Sequence, residues 1–146
     1  MTDIERLQAE SVCRHIVLAA ARAVDDQDYA ALAALFAPDG ELVRPGGEPL
    51  VGLEAIHASY AAKDPERLTQ HIVCNHVVKV DSATSARSRC TVILWSSRRS
   101  EELTPKGRKA DPLQQVGEIE DEFVNTGDGW KIRRRRAWFT MYAPGA

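Results

Sequence analysis

The sequence lacks an excess of charge of either sign. Its 146 residues contain 19 Lys and Arg against 21 Asp and Glu, which gives a formal net charge of −2. Domains that bind nucleic acid through their overall charge are strongly basic, and solvating tails are strongly acidic. We therefore expect no nucleic-acid partner, and any ligand has to be recognised by a particular site.

Long hydrophobic runs are also absent. No stretch reaches the roughly 18 consecutive apolar residues of a membrane span, and residues 1–10 carry acidic side chains where a signal peptide has an apolar core. These absences predict a protein that does not interact with membranes and that is cytoplasmic.

Cysteine is scarce, and no two cysteines are close in the sequence. Cys13, Cys74 and Cys90 are odd in number and widely spaced, so they fit neither a disulfide framework nor a zinc site. We interpret them as reduced, buried thiols. We expect neither a metal nor another cofactor.

The residues that are present are typical of a folded globular protein, with 44% hydrophobic and 27% charged side chains. A chain of this length has room for one core, so we expect a single domain over residues 1–146. Hydrophobic periodicity predicts helices at 2–24, 28–36 and 53–63, a short strand pair at 41–43 and 50–51, and long strands at 69–80, 86–97, 114–126 and 130–139.

Helices followed by an antiparallel meander predict an α+β fold, in which helices cover one face of a curled sheet and a pocket opens at its end. One long polar connection, residues 98–112, is typical of a mobile flap or a disordered segment. Its basic residues, up to Lys109, leave open an adaptor function that binds nucleic acid or protein.

The candidate chemical groups are an aspartate at the end of the first helix and two histidines on the first long strand. Alternation places His71 and Asn75 on one face of the strand and His76 on the other, and periodicity does not choose which face meets the helix. Asp25 continues an apolar line of the helix, where an unpaired carboxylate is costly. Paired with a histidine, it would fix the tautomer while the other ring nitrogen takes a proton from a substrate carbon.

Five segments spread over nearly the whole chain carry a family resemblance. They are residues 23–29, 35–40 and 52–56, His71 with Asn75 and His76, and residues 127–132. In this order and spacing they resemble the SnoaL-like domain of the NTF2-like superfamily. The resemblance implies a cone-shaped α+β barrel with three N-terminal helices on a strongly curved, mostly antiparallel sheet. It also implies an apolar pocket and a homodimer or homotrimer.

Within that superfamily the sequence is most similar to the branch of scytalone dehydratase, bile acid 7α-dehydratase and hexachlorocyclohexane dehydrochlorinase. In this branch an aspartate that ends the first helix pairs with a histidine on the first long strand, and the pair abstracts a proton during an elimination. Asp25 and His71 match these positions, so the resemblance selects His71 over His76. It implies a cofactor-independent lyase or isomerase that acts on a small, apolar, ring-containing molecule.

Two positions depart from the pattern of this branch. Ala20 stands where its enzymes tend to have a Tyr or Lys that assists the leaving group, and Ile119 where they often have an aromatic residue. These departures keep a second hypothesis open, in which the domain is a non-catalytic small-molecule-binding or accessory subunit.

Further residues are assigned to the pocket wall or to the hairpin. We expect Tyr60, Asn75, Ile119 and Trp138 in the wall. Arg134 or Arg136 is a candidate to hold an anion there. The arginine run 133–136 otherwise predicts cross-strand ion pairs with Glu118, Glu120 and Glu122.

The outer sheet face, the face turned away from the helices, is predicted to be strongly apolar. Such a surface is too large and apolar to remain exposed to water, so we expect the protein to self-associate through it. By alternation it carries Ile72, Cys74, Val78, Ile93 and Trp95.

Overall fold

The computed structural model describes residues 1–145, so Ala146, the last residue of the predicted domain, lies outside the described residues. The α+β fold with three helices is confirmed. The helices are α1 (Asp3–Asp25), α2 (Tyr29–Ala33) and α3 (Leu53–Ala61), and the strands are β1 (Phe36–Val43), β2 (Leu50–Val51), β3 (Arg67–Val80), β4 (Ser85–Arg98), β5 (Gln114–Asn125) and β6 (Trp130–Ala143).

All six strands belong to one open sheet with the order β2-β1-β6-β5-β4-β3. Strands β3 to β6 form the predicted antiparallel meander, whereas β1 runs parallel to β6. Strands of up to 14 residues twist strongly, and this curls the sheet around the helices. The tight connection between β5 and β6 contains two glycines with positive φ, Gly127 and Gly129, as a hairpin requires.

The first helix begins as predicted. Thr2 caps it, and Thr2 and Glu5 form a reciprocal capping box. Its buried face packs onto the sheet and consists of Ala9, Cys13, Ile16, Val17, Ala20 and Ala23.

None of the helices within residues 1–145 is long and apolar enough to cross a membrane.

The prediction that the second helix reaches Phe36 is wrong. The helix ends at Ala33, and Phe36 already begins β1, where it lies opposite Ile132 of β6. The main-chain N–H of Ile132 donates to the Leu35 carbonyl at 2.9 Å. The register of β1 and β6 shifts between Phe36 and Glu41, and this stretch contains Pro38, which has no N–H for the ladder. Burial of Phe36 beside β6 therefore ends the helix earlier than the hydrophobic periodicity predicts.

A β-bulge interrupts β3. Cys74 lies opposite Thr91, but the next pair is Val77 with Arg89, and Asn75 has a φ of +50°. The extra residue inverts the alternation, so residues that face inward have odd numbers before the bulge and even numbers after it. Val78 is consequently buried, not on the outer sheet face as predicted, and Val77 is 68% exposed.

A second bulge changes the faces of β6. Ile132 lies opposite Phe123, but Arg134 lies opposite Glu122, so Arg133 is the extra residue. Arg135 is therefore the arginine of the run that faces inward, where alternation predicted Arg134 or Arg136.

The predicted cross-strand ion pairing is present in part. Arg136 pairs with Glu120 at 3.2 Å across the hairpin, whereas Arg134 reaches β1 and lies 3.7 Å from Glu41.

The long connection between β4 and β5 is fastened to the sheet. The Ser96 hydroxyl donates to Asp111 at 2.9 Å, and the Ser97 hydroxyl donates to the Lys109 carbonyl at 2.7 Å.

The three cysteines are free thiols; two are buried and Cys74 is half-buried.

Candidate active site

A cavity of about 500 Å³ lies between α1 and the concave face of the sheet. Such a volume suits a small organic ligand. Most of its wall is apolar because the inward-facing positions of the helix and of the strands carry aliphatic side chains. These include Val17, Ala20, Ala21 and Val24 from α1, and Val73, Val92, Leu94 and Ile119 from the sheet.

Asp25 and His71 meet at the edge of this cavity. Asp25 Oδ1 lies 2.6 Å from His71 Nδ1, and Asp25 Oδ2 accepts from the main-chain N–H of His71 at 2.9 Å. The side chains of Asp25 and His71 are 12% and 23% exposed. Because Nδ1 faces the carboxylate and His71 itself lines the cavity, Nε2 is the nitrogen presented to a ligand.

Local structure explains why the pair forms. Asp25 is the last residue of α1, so its side chain leaves the helix beside β3. Thr69, two residues before His71 on the same face of β3, also donates its hydroxyl to Asp25 Oδ1 at 3.0 Å. Three donors thus satisfy a half-buried carboxylate. The alternation of β3 indicated the position of Thr69, but our sequence reasoning did not single it out.

His76, the other candidate histidine, does not line the cavity. Its Nε2 is buried and has no hydrogen-bond partner in the described part of the chain. Burial, together with the nearby Arg14 guanidinium, lowers the pKa of His76. It is therefore a packing residue within the bulge and not part of the cavity wall.

The structure divides the predicted wall residues into two groups. Tyr60, Ile119 and Trp138 line the cavity. The ring of Trp138, however, lies on the outer sheet face below the guanidinium groups of Arg89, at 5.4 Å, and Arg136, at 4.7 Å, so it is not the ring that a ligand would meet.

Asn75 and Arg134 lie outside the cavity. Asn75 is exposed at the bulge of β3, and Arg134 is exposed beyond the bulge of β6. Unbroken alternation predicts the inner face for both residues, and the bulges reverse that prediction.

Arg135 is the inner-face arginine that the sequence reasoning missed. Its Nε and Nη2 donate to the two carboxylate oxygens of Asp121 at 2.7 and 2.9 Å, and both residues are buried. Although burial alone would lower it, the adjacent Asp121 carboxylate raises the pKa of Arg135 above its ordinary value. The pair is charge-balanced, and it leaves the N–H donors of Nη1 for the cavity that Arg135 lines.

Polar groups at the opening of the cavity were also missed, apart from Tyr60. Lys63 Nζ lies 4.4 Å from the centre of the Tyr60 ring, and Arg44 Cζ lies 4.9 Å from it. Tyr29 packs against the same ring, with 5.5 Å between the two ring centres. Burial raises the pKa of Tyr60, so its phenol keeps its proton. Ala20, in contrast, is fully buried in the wall and contributes only a methyl group.

Groups able to hold a metal ion are not found within residues 1–145. No three His, Cys, Asp or Glu side chains are suitably clustered there.

Helices on the concave face of an open, strongly curved sheet, with an apolar cavity between them, are the architecture of the NTF2-like class of α+β proteins. Residues 5–136 match the model of the SnoaL-like domain, and the chain belongs to that family. None of the curated proteins matches the sequence.

Several solved structures share this fold over almost the entire length of the chain. Hexachlorocyclohexane dehydrochlorinase LinA-type3 from Novosphingobium barchaimii is 16% identical, with 99% of this chain and 95% of that chain covered and a TM-score of 0.83. A scytalone dehydratase candidate from Novosphingobium aromaticivorans is 21% identical, with 97% and 91% covered and a TM-score of 0.78. ActVI-ORFA from Streptomyces coelicolor is 20% identical, with 91% and 96% covered and a TM-score of 0.70.

Proposed function

We propose that this protein is a cofactor-independent lyase or isomerase that acts on a small, ring-containing molecule held in the apolar cavity. The observation that carries the proposal is the 2.6 Å contact between Asp25 and His71 Nδ1, which leaves Nε2 for the ligand. Family membership and the names of the structural relatives, a dehydrochlorinase and a dehydratase candidate, support the same class of chemistry.

In this mechanism His71 is the general base. Its Nε2 takes a proton from a substrate carbon, and the electron pair of the broken C–H bond forms a double bond as a group on the neighbouring carbon leaves. In an isomerase the same imidazolium would return the proton to another carbon. Asp25 accepts from Nδ1–H, which fixes the neutral tautomer before the reaction and stabilises the imidazolium afterwards.

The leaving group needs a partner other than residue 20, because Ala20 has no polar atom. Arg135, paired with Asp121, offers its remaining guanidinium N–H donors from the wall opposite α1, and the phenol of Tyr60 carries a proton. A departing hydroxide or halide would be stabilised by Arg135 and, where it requires a proton, could take one from Tyr60.

The proposal is tested with a panel of ring compounds that carry a hydroxyl or halide next to an acidic C–H bond. Each compound is incubated in D₂O with the protein and with a His71→Ala variant, and products are identified by mass spectrometry. Loss of water or hydrogen halide, or uptake of deuterium, that requires His71 supports the proposal. Turnover that the variant retains in full contradicts it.

The rival function, a non-catalytic small-molecule-binding or accessory subunit, is favoured by one observation. Ala20 leaves the wall without the hydroxyl or amine that assists the leaving group in related enzymes. A protein that binds members of the panel with the same affinity before and after His71→Ala, and converts none of them, would have this function.

We further propose that the protein forms a homodimer or homotrimer through the outer sheet face. Ile72 and Trp95 are 45% and 41% exposed on the neighbouring strands β3 and β4, and the bulge adds Val77, which is 68% exposed. Together these side chains form an apolar surface of the kind that oligomers bury.

Light scattering is expected to show an oligomer for the natural sequence and a monomer for the double variant Ile72→Lys/Trp95→Lys, since two charges cannot be buried in such an interface. Val51→Lys is the matched control, because Val51 is as exposed but lies at the opposite edge of the sheet. A natural protein that is monomeric at micromolar concentration would refute self-association.

A further inference from the structure

Three positively charged side chains line the opening of the cavity. Arg44 follows β1, Lys63 follows α3 and Arg67 begins β3, so three separate elements bring them together. Arg44 and Lys63 converge on one aromatic ring, that of Tyr60, at 4.9 and 4.4 Å from its centre. The ring of Tyr60 is buried, so the two cations mark where the apolar interior meets the solvent.

None of these three cations forms an ion pair within residues 1–145. The acidic residues that line the cavity are directed to other partners: Asp64 lies 3.7 Å from Arg98, and Glu118 lies 3.6 Å from Arg89. Partial burial, reinforced by the charges of Arg44 and Arg67, lowers the pKa of Lys63 to about 8. The charges at the opening therefore repel one another, and no carboxylate in the described part of the chain pairs with them.

We propose that Arg44 and Lys63, assisted by Arg67, form a subsite for the carboxylate of a ligand whose ring body lies in the apolar cavity. Arg44 offers a planar pair of donors that fits a carboxylate, and Lys63 adds a mobile ammonium. The ligand is thus a ring-containing carboxylic acid. The inference rests on the proposed function only in taking this cavity as the ligand site, and it names the chemical class of the substrate.

The subsite predicts a measurable preference for charge. The probes are 2-naphthoate and its neutral analogue 2-naphthamide, which have the same ring body, and affinity is measured by calorimetry at about pH 7. Naphthoate is expected to bind at least about tenfold more tightly than naphthamide, since its carboxylate gains charge-assisted hydrogen bonds. The double variant Arg44→Met/Lys63→Met is expected to lose this preference and to retain its affinity for naphthamide.

Lys79→Met/Lys106→Met is the control matched for net charge, because it also removes two positive charges, and both lysines are exposed and do not line the cavity. It should leave the preference unchanged. Retained naphthamide affinity in the double variant shows that the cavity is still folded. Equal binding of the two probes, an unchanged preference in the double variant, or no naphthoate binding up to about 10 mM would each overturn the proposal.

The preference is also expected to depend on pH. Lys63 is protonated below its pKa of about 8, so the preference should be complete in neutral solution. As the pH rises through about 8, Lys63 in the free protein loses its proton, and binding of the carboxylate then requires that this proton be restored. The affinity for naphthoate should therefore fall, while the affinity for naphthamide stays constant. A preference that does not change between about pH 6 and about pH 10 contradicts a role for Lys63.

This inference and the proposed function can fail separately. His71→Ala should leave the preference for naphthoate intact, because His71 is assigned to proton transfer. A carboxylate preference without any His71-dependent turnover supports the subsite and contradicts the enzyme. His71-dependent turnover of neutral ring compounds, without a carboxylate preference, supports the enzyme and overturns the subsite.

Discussion

The variant His71→Ala is expected to lower kcat by about 10²- to 10⁴-fold, the usual contribution of a positioned general base. KM should change little, since the imidazole edge is a small part of a predominantly apolar wall. The measurement is steady-state turnover of the first substrate identified in the panel, with the oligomeric state and thermal unfolding of the variant recorded alongside.

The control for this experiment is His76→Ala, which removes the other histidine of β3. His76 does not line the cavity, so its loss should leave kcat unchanged. Asp25→Asn should lower kcat with KM again nearly constant, because an amide cannot stabilise the imidazolium as a carboxylate does. If His76→Ala reduced turnover as strongly as His71→Ala, the assignment of the base would be wrong.

Two kinds of sequence information predicted Asp25 and His71 as the candidate pair. Helical spacing indicated that Asp25 continues the apolar line of α1, and family resemblance chose His71 from two histidines on one strand. Periodicity could not make that choice, because each face of β3 carries apolar residues together with one histidine. The contact between Asp25 and His71 joins residues 46 positions apart, and such a separation leaves no local pattern in a single sequence.

The misplaced residues share one physical cause. Asn75 and Arg134 were assigned to the inner face by counting alternate positions, and each count crosses a β-bulge. Asn75 carried a signal of its own, since asparagine tolerates the positive φ that it adopts. The arginine run 133–136 carried none, because four identical side chains give no indication of which one is the extra residue. The inward position of Arg135 is determined by its pairing with Asp121 on β5.

The cationic opening was missed for a different reason. Lys63 was placed in the last turn of α3, but the helix ends at Ala61, and the chain beyond it carries the ammonium over the ring of Tyr60. The turn after β1 brings Arg44 to the same ring. Loop and helix-end positions depend on tertiary contacts, so neither residue is distinguished by sequence pattern.

Removal of Asp121 is expected to destabilise the fold by about 3–5 kcal/mol, because it leaves the guanidinium of Arg135 buried and unpaired. For a protein of this size the loss corresponds to a decrease in Tm of about 10–16 °C. Asp121→Ala, measured by urea unfolding and calorimetry, tests this directly. Glu120→Ala is the matched control on the same strand: the Glu120 side chain is 42% exposed and lies 3.2 Å from Arg136 and 3.6 Å from Arg89, so its loss should cost at most about 1 kcal/mol. Equal losses in the two variants would contradict the prediction.

The double variant Asp121→Leu/Arg135→Met separates the two roles of the buried pair. A single buried charge without its partner destabilises the fold, but apolar side chains of similar volume remove both charges together. The free energy of unfolding should therefore recover to within about 1–2 kcal/mol of that of the natural protein. Recovery of stability would not restore the guanidinium N–H donors that Arg135 offers to the cavity. If Arg135 stabilises the leaving group, the folded double variant should remain at least about tenfold slower than the natural protein. A stable double variant with full activity would limit Arg135 to a structural role and assign stabilisation of the leaving group to another residue, of which Tyr60 is the first to test.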